Sequence, residues 1–340
     1  MPDRVLVTGI SGFVGGHTAL QLLQAGYVVR GSVRDLTKGE KVRATLAKHG
    51  GDVSRLELVA LDLSSDAGWG DAMKDVRYLH HVASPLTFIM PRDKNELIRP
   101  AVDGATRALE AAFAASVERV ILTASISTMM YGHSKTRTAP FTAADWTNLD
   151  SPDLNAYVES KTLAEKAAWA IAEKHGRKKD LVAINPGAIF GPLLDEDPGS
   201  SALMVLRMLK GSVPAVPRMR MIVTDVRDVA ALHVAAMKDP SAGGRRFPVG
   251  NGTFTLMQVA GMLKRSIPDR AGKMPKVELP DWFVRLYAPF DREIASSLCE
   301  LGYTRRLDPA AAQSTLGRPL VAPEETIADT ARSMLAQQLV

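Results

Sequence analysis

"RVLVTGISGFVGGHTALQLLQAGYVVRGSVRD" runs from Arg4 to Asp35, and its reading decides the fold. "RVLVTG" (4–9) is a short apolar run rich in β-branched residues, the pattern of a buried strand. Gly9, Gly12 and Gly15 follow, three residues apart. From about Phe13 to Ala25 the apolar residues recur at helical spacing, and "YVVRGSV" (27–33) is a second strand pattern. A strand, a glycine turn and a helix in that order suit a nucleotide phosphate. Glycines let backbone N–H groups approach a pyrophosphate with no Cβ in the way, and the helix N-terminus adds partial positive charge. Thr8 and Gly9 end the strand, Gly12 sits in the turn with Phe13 and Val14 beside it, and Gly15 opens the helix. The spacing is G-x-x-G-x-x-G rather than G-x-G-x-x-G. A tight turn without a ligand is the alternative.

The second strand ends in "GSVRD". A carboxylate here hydrogen-bonds the adenosine ribose of NAD, whereas an arginine accommodates the 2′-phosphate of NADP. Arg34 can form paired charged hydrogen bonds to phosphate, and Lys41 is a second cation nearby. These favour NADP; Asp35 keeps NAD open. Asp62 and Leu63, after the third strand pattern, are placed to meet the adenine, or Asp62 caps the next helix.

Strand and helix patterns keep alternating. Helices are expected near 38–49, 67–74, 97–115 and 154–174, and strands at "LELVALD" (56–62), "YLHHVA" (78–83), "RVILTAS" (119–125) and "LVAIN" (181–185). This rhythm calls for an α/β fold, a Rossmann-type doubly wound parallel sheet with helices on both faces. After Pro186 the rhythm weakens into a Pro- and Gly-rich loop. "RMIVTDVRDVAALHVAAM" reads as a strand, a turn and a helix returning to the sheet. The expected division is a dinucleotide-binding domain of 1–186 plus 219–247. A smaller, mostly α C-terminal substrate domain of 187–218 plus 248–340 would pack over the sheet's carboxyl edge.

The 340 residues are 46% hydrophobic and 23% charged, ordinary for a globular chain with a sizeable core. No apolar run approaches the roughly 20 residues of a spanning helix, and the strand pattern begins too early for a signal peptide. With Cys299 the sole cysteine, an intramolecular disulfide and a Cys-rich zinc site are excluded. No metal site is expected; His80 and His81 lack ligand spacing and read as core or cleft wall. The net charge of +5 is mild, and "KHGRKKD" (174–180) reads as a solvated helix end. A cytoplasmic enzyme with neither nucleic-acid nor membrane partners is the expectation.

"AYVESKTLAEKAAW" puts Tyr157 and Lys161 four residues apart, on one helix face. A ketone that accepts hydride at carbon needs a proton at oxygen, and a tyrosine can supply it. Its ordinary pKa is near 10, and a neighbouring ammonium pulls that down. The lysine can also hydrogen-bond the nicotinamide ribose. Ser125, at a strand's carboxyl end, is placed to orient the carbonyl. An amphipathic helix pair is the bland alternative.

With these residues the chain resembles the extended short-chain dehydrogenase/reductase superfamily. It most resembles the branch of dihydroflavonol reductases, cinnamoyl-CoA reductases and microbial carbonyl reductases. The matching pieces are "VTGISGFVG", "SVRD", "LDL" (61–63), "HVASP" (81–85), "LTAS" (122–125), "YVESKTLAEKAAW" and "NPGAIFGP", within residues 4–192. The resemblance implies NADPH-dependent reduction of an aldehyde or ketone, with Ser125, Tyr157 and Lys161 as the catalytic triad. It implies that Gly9, Gly12 and Gly15 hold the pyrophosphate, that Arg34 and Lys41 meet the 2′-phosphate, and that Asp62 and Leu63 flank adenine. Val82, Ala83 and Ser84 would line the cofactor cleft, and Pro186, Gly187 and Ile189 would border the nicotinamide.

Departures narrow the substrate. Flavonol reductases of the branch carry an asparagine where this chain has Met130, and cinnamoyl-CoA reductases carry "NWYCYGK" where it has "LNAYVESK". What remains is a general carbonyl reductase, with a pocket expected from Phe88, Met130, Tyr131, Phe190 and Met204, and with Met129 beside them. A nucleotide-sugar epimerase, a 3-hydroxysteroid dehydrogenase and a non-enzymatic NADP-sensing module are the other readings. Either a monomer or a homodimer paired through helices 97–115 and 154–174 is expected. The Ala-rich "ALEAAFAAS" suits that pairing, or burial against the chain's own sheet.

Overall fold

The structure, a computed structural model, describes residues 3–85, 91–152 and 154–340. The first half alternates as expected: β1 (Arg4–Thr8), α1 (Phe13–Gln24), β2 (Val28–Val33), α2 (Gly39–Lys48), β3 (Leu56–Ala60), α3 (Trp69–Ala72), β4 (Tyr78–His81), α4 (Asn95–Ala114), β5 (Arg119–Thr123), α5 (Ala156–Lys174) and β6 (Leu181–Pro186). Then come β7 (Ala188–Phe190), α6 (Gly199–Lys210), β8 (Ala215–Pro217), β9 (Arg220–Asp225), α7 (Val226–Lys238) and β10 (Arg246–Val249). The chain closes with β11 (Thr253–Thr255), α8 (Leu256–Ser266), β12 (Val277–Leu279), α9 (Asp281–Tyr287), α10 (Arg292–Ser297), α11 (Ala310–Leu316) and α12 (Pro323–Ala336).

Seven parallel strands form the main sheet in the order β10-β6-β5-β4-β1-β2-β3. The winding reverses between β1 and β4, so a crevice opens there at the carboxyl ends, where ligands bind in such sheets. In β1, Val5 and Val7 face one core, with Leu22, Leu23 and Val229, while Leu6 faces the other, with Leu79, Leu109 and Val120. This two-residue alternation puts apolar side chains on both faces of the strand, and helices cover both. Ala108, Leu109, Ala112 and Phe113 of the Ala-rich stretch belong to the second core, so that face is buried against the chain's own sheet.

One expectation fails. The strand of "RMIVTD" does not return to the main sheet. As β9 it joins a separate sheet of order β11-β9-β7, and β10 takes the main sheet's edge beside β6. The cause is the bend after Pro186. A Cβ on Gly187 would lie 2.4 Å from the Ile222 carbonyl oxygen, so only glycine lets β9 pass this close. Beyond the bend, α6, α8 and α12 enclose a third apolar core of Phe190, Val205, Leu209, Leu263 and Met334. The helix expected over 67–74 shrinks to the four residues of α3. Among the described residues, no helix is long and apolar enough to cross a membrane.

Candidate active site

The glycine turn is built from backbone. Gly9 has φ +69°, and a Cβ there would meet Ala83 at 3.0 Å. A Cβ on Gly15 would sit 2.1 Å from the Gly9 carbonyl oxygen, which no relaxation of a side chain relieves. Gly12 is the N-cap of α1, with no side chain to cap it and no acid in the first turn. The positive end of α1 thus faces the crevice with the Phe13 and Val14 backbone. Thr8 plays a different part from the glycines. Its buried hydroxyl accepts from the Val82 and Ala83 N–H groups at 3.0 Å each and bonds His81 Nδ1 at 3.0 Å. It ties the end of β1 to the end of β4 and holds Val82, Ala83 and Ser84, all half-buried, along the cleft.

At the end of β2, Arg34 is exposed. Asp35 accepts from the Thr37 N–H at 2.9 Å, which caps a short 3₁₀ turn, and the Thr37 hydroxyl and N–H together hold its carboxyl below the usual range. Asp62 likewise accepts from the Ser64 N–H at 2.8 Å and the Ser64 hydroxyl at 2.6 Å, closing a local turn rather than capping α3, whose N-cap is Gly68. Leu63 packs against Gly104 of α4. Lys41 approaches Glu196 at 3.6 Å and Asp195 at 3.9 Å, so its charge is shared with two carboxylates.

Ser125, Tyr157 and Lys161 come together. Ser125 follows β5; its hydroxyl interacts with the Tyr157 phenol and accepts from the Ser127 N–H at 3.1 Å. Asn155 caps α5 through Val158 N–H at 2.9 Å, which fixes the helix start two residues before Tyr157. Burial pushes the Tyr157 phenol up, and the Ser125 hydrogen bond pulls it partly back. Burial drops Lys161 itself to about 8, with the Glu165 carboxylate opposing that fall. At pH 7 that leaves it mostly in the charged form.

Glu165 was not anticipated. It lies one further turn along the Tyr157–Lys161 face, is fully buried, and meets Arg246 Nε at 2.6 Å. Asn185 Nδ2 donates to Glu165 at 2.8 Å, to the Ser125 carbonyl at 3.2 Å and to Thr128 Oγ1 at 3.1 Å. Arg246 also donates to Thr128 Oγ1 at 2.8 Å and to the carbonyls of Ala143 and Asp145, and its guanidinium lies 3.8 Å from the Trp146 ring centre. This frame holds the Ser125 turn against α5 and β6. The spacing Tyr157, Lys161, Glu165 was the signal available in the sequence; Arg246 gave none.

The expected pocket residues fare less well. Phe190 is 1% exposed and belongs to the third core, because β7 directs it between α6 and β9. Met204 packs against the same core. Met130 and Met129 are buried with Ile126, Phe141 and Ile222, covered by the loop that carries Phe141. Tyr131 is tied by its hydroxyl to Glu300, and Arg305 stacks over its ring at 4.3 Å. Phe88 lies outside the described residues. Pro186 is buried at the end of β6. Gly187 donates to the Val249 carbonyl at 3.0 Å and to Thr224 Oγ1 at 2.9 Å, and Ile189 pairs with Thr224. His80 is core: its Nδ1 meets His233 Nδ1 at 3.2 Å beneath α7, and burial lowers both rings.

Residues 5–250 match the model of the NAD dependent epimerase/dehydratase family. The chain is 35% identical to tetraketide alpha-pyrone reductase 2 of Arabidopsis thaliana over 250 residues, 72% of this chain and 76% of that one. It is 30% identical to dihydroflavonol 4-reductase of Zea mays over 312 residues, 89% and 84% of the two chains. The crystal structure of the yeast methylglyoxal/isovaleraldehyde reductase complexed with NADPH superposes with a TM-score of 0.81 at 25% identity. That match covers 99% of this chain and 100% of that one. The chain therefore belongs to the epimerase/dehydratase family of extended short-chain dehydrogenases/reductases. Within that family it is an oxidoreductase, as its relatives are.

Proposed function

We propose that this enzyme reduces the carbonyl group of a small aldehyde or ketone to an alcohol, with NADPH as the reductant. The observation that carries the reading is the contact of Ser125 with Tyr157, one helical turn from the buried Lys161, at the same sheet edge as the glycine turn. NADPH is favoured over NADH by Arg34, exposed at the end of β2, and by Asp35, whose carboxylate is already spent on Thr37. NADPH, when bound, supplies the hydride. The amides that open α1 hold its pyrophosphate, and Val82, Ala83, Ser84, Pro186, Gly187 and Ile189 wall its cleft.

Ser125 orients the substrate oxygen, and Tyr157 donates its proton there. The phenol must lose that proton while buried, so Lys161 matters in its charged form. Glu165 acts against the burial that lowers Lys161, and the ammonium stabilises the forming phenolate and hydrogen-bonds the nicotinamide ribose. The segments 187–218 and 248–340 supply the substrate side of the cleft. A cytoplasmic setting, where NADPH is kept reduced, suits this chemistry, as does a monomer or a dimer paired through α4 and α5.

The test is a cofactor-oxidation panel: NADPH and NADH, each against aldehydes, diketones, aryl ketones and a 3-ketosteroid. NADPH absorbance falls with a carbonyl, and Tyr157→Phe loses about 10²–10⁴ in kcat while still binding NADPH. Full turnover in that variant would sink the mechanism. Purified protein carrying stoichiometric NAD, with no carbonyl-dependent oxidation, would make it an epimerase instead.

A further inference from the structure

A cavity of about 640 Å³ opens at the amino-terminal end of α5, apart from the residues expected to form the pocket. Its half-buried floor includes Leu154, Ala156, Leu298 and Cys299. Its rim is cationic: Arg92, Lys94, Lys135 and Arg285, all exposed. Glu159 is the one carboxylate among the described lining residues, and Lys94 Nζ donates to it at 2.8 Å. Lys135 lies 5.3 Å from the Tyr303 ring centre, and among the described residues neither it, Arg92 nor Arg285 has an ion pair. Nearby acids on the same segments are engaged elsewhere. Asp93 accepts from the Asn95 N–H, and Asp281 holds Arg218 through both oxygens at 3.1 Å. Asp153 lies outside the described residues. The floor is also the positive end of α5.

Ala156, in that floor, directly precedes Tyr157. The funnel's volume suits a ligand larger than a two- or three-carbon aldehyde. We propose that the funnel is a substrate subsite for a carboxylate or phosphate group, so that the preferred substrate is a carbonyl compound with an anion remote from its carbonyl. This rests on the reductase reading above.

The experiment measures NADPH oxidation by the intact enzyme with four aldehydes: benzaldehyde, 4-formylbenzoate, 4-formylphenyl phosphate and 4-(trimethylammonio)benzaldehyde. At low salt, kcat/KM for at least one anion exceeds that for benzaldehyde by about tenfold, the cation is the poorest, and 0.5 M salt collapses the differences. The better of the two anions identifies carboxylate or phosphate as the group held. Arg285→Glu and Arg92→Glu each lower the anion-to-neutral ratio severalfold, whereas Lys48→Glu, the same charge change on the exposed face of α2, leaves it alone. Equal kcat/KM for neutral and anionic aldehydes, or a preference indifferent to both rim reversals, overturns the subsite. Failure to turn over any aldehyde, benzaldehyde included, counts against the reductase reading. The subsite is then decided by calorimetry of 4-formylbenzoate and 4-formylphenyl phosphate on the NADPH-saturated protein: binding weakened by Arg285→Glu supports it, and no binding ends it.

Discussion

The glycine turn and the frame beneath Ser125 stand at the carboxyl ends of β1 and β5, two strands apart in one sheet, and are built by opposite means. The turn uses almost no side chains: three glycines, backbone amides and a helix end with no acid near it. The frame uses little else: a buried carboxylate and guanidinium, an amide that bridges three acceptors, and an indole under the arginine. The first is local, complete within about a dozen residues. The second joins α5, β6, β10 and two loops, so every piece depends on the others. Backbone sites are specified by where a Cβ cannot go, and ionic sites by what a charge cannot do without.

The sharpest way to break this contrast is to cut the ion pair. Arg246→Met leaves the Glu165 charge buried alone, which costs about 3–5 kcal/mol of stability. Urea unfolding reads that loss, and NADPH affinity of the folded fraction stays within about twofold. A matching loss of NADPH affinity would mean the two regions are one unit. Glu165→Leu combined with Arg246→Met recovers much of the stability, since no lone charge remains.

Acid probes the cofactor side. His17 is lowered to about 4, and His81 and His233 to about 3, each chiefly by burial. All lie below the ordinary 6.5, so below pH 6.5 the unfolded chain takes up protons that the folded chain refuses. Stability is therefore full above pH 6.5 and falls as the pH drops toward 4 and 3. At about 1.4 kcal/mol per pH unit for each ring, these three remove at most about 6 kcal/mol by pH 5. Urea midpoints at pH 7.5 and 5 measure it; a flat profile would show the rings already charged in the fold.

The smallest effect is confined to the end of β2. Arg34→Asp weakens NADPH use by about tenfold more than NADH use, with stability unchanged within about 0.5 kcal/mol. Equal loss with both cofactors would remove Arg34 from the 2′-phosphate site.

The same contrast explains what could be read from the sequence. Gly9 and Gly15 are legible because a glycine at each spot has a steric reason, and Gly12 because it opens the helix between them. The strand-helix alternation is legible because each element declares its period within its own residues. β9 is not, because its sheet is decided by Gly187, some thirty residues upstream, whose missing Cβ admits the Ile222 carbonyl. Phe190 and Met130 were misplaced for a related reason. Closeness to Ser125 or to the Pro186 bend says nothing about which way a side chain turns, and both turned inward. Tyr157 and Lys161 announced themselves by spacing, whereas Arg246 is an arginine among many until Glu165 gives it a partner.

Arg246 sits 81 residues after Glu165, on the last strand to join the main sheet. While the chain is being synthesised, the glycine turn, Ser125, Tyr157 and Lys161 all leave the ribosome well before it. The nascent protein thus carries every reacting group before the Arg246 guanidinium that pairs with Glu165 has been made. Its active site is finished only when translation has passed β10, so a fragment ending near residue 200 keeps the residues of the chemistry without a place to perform it.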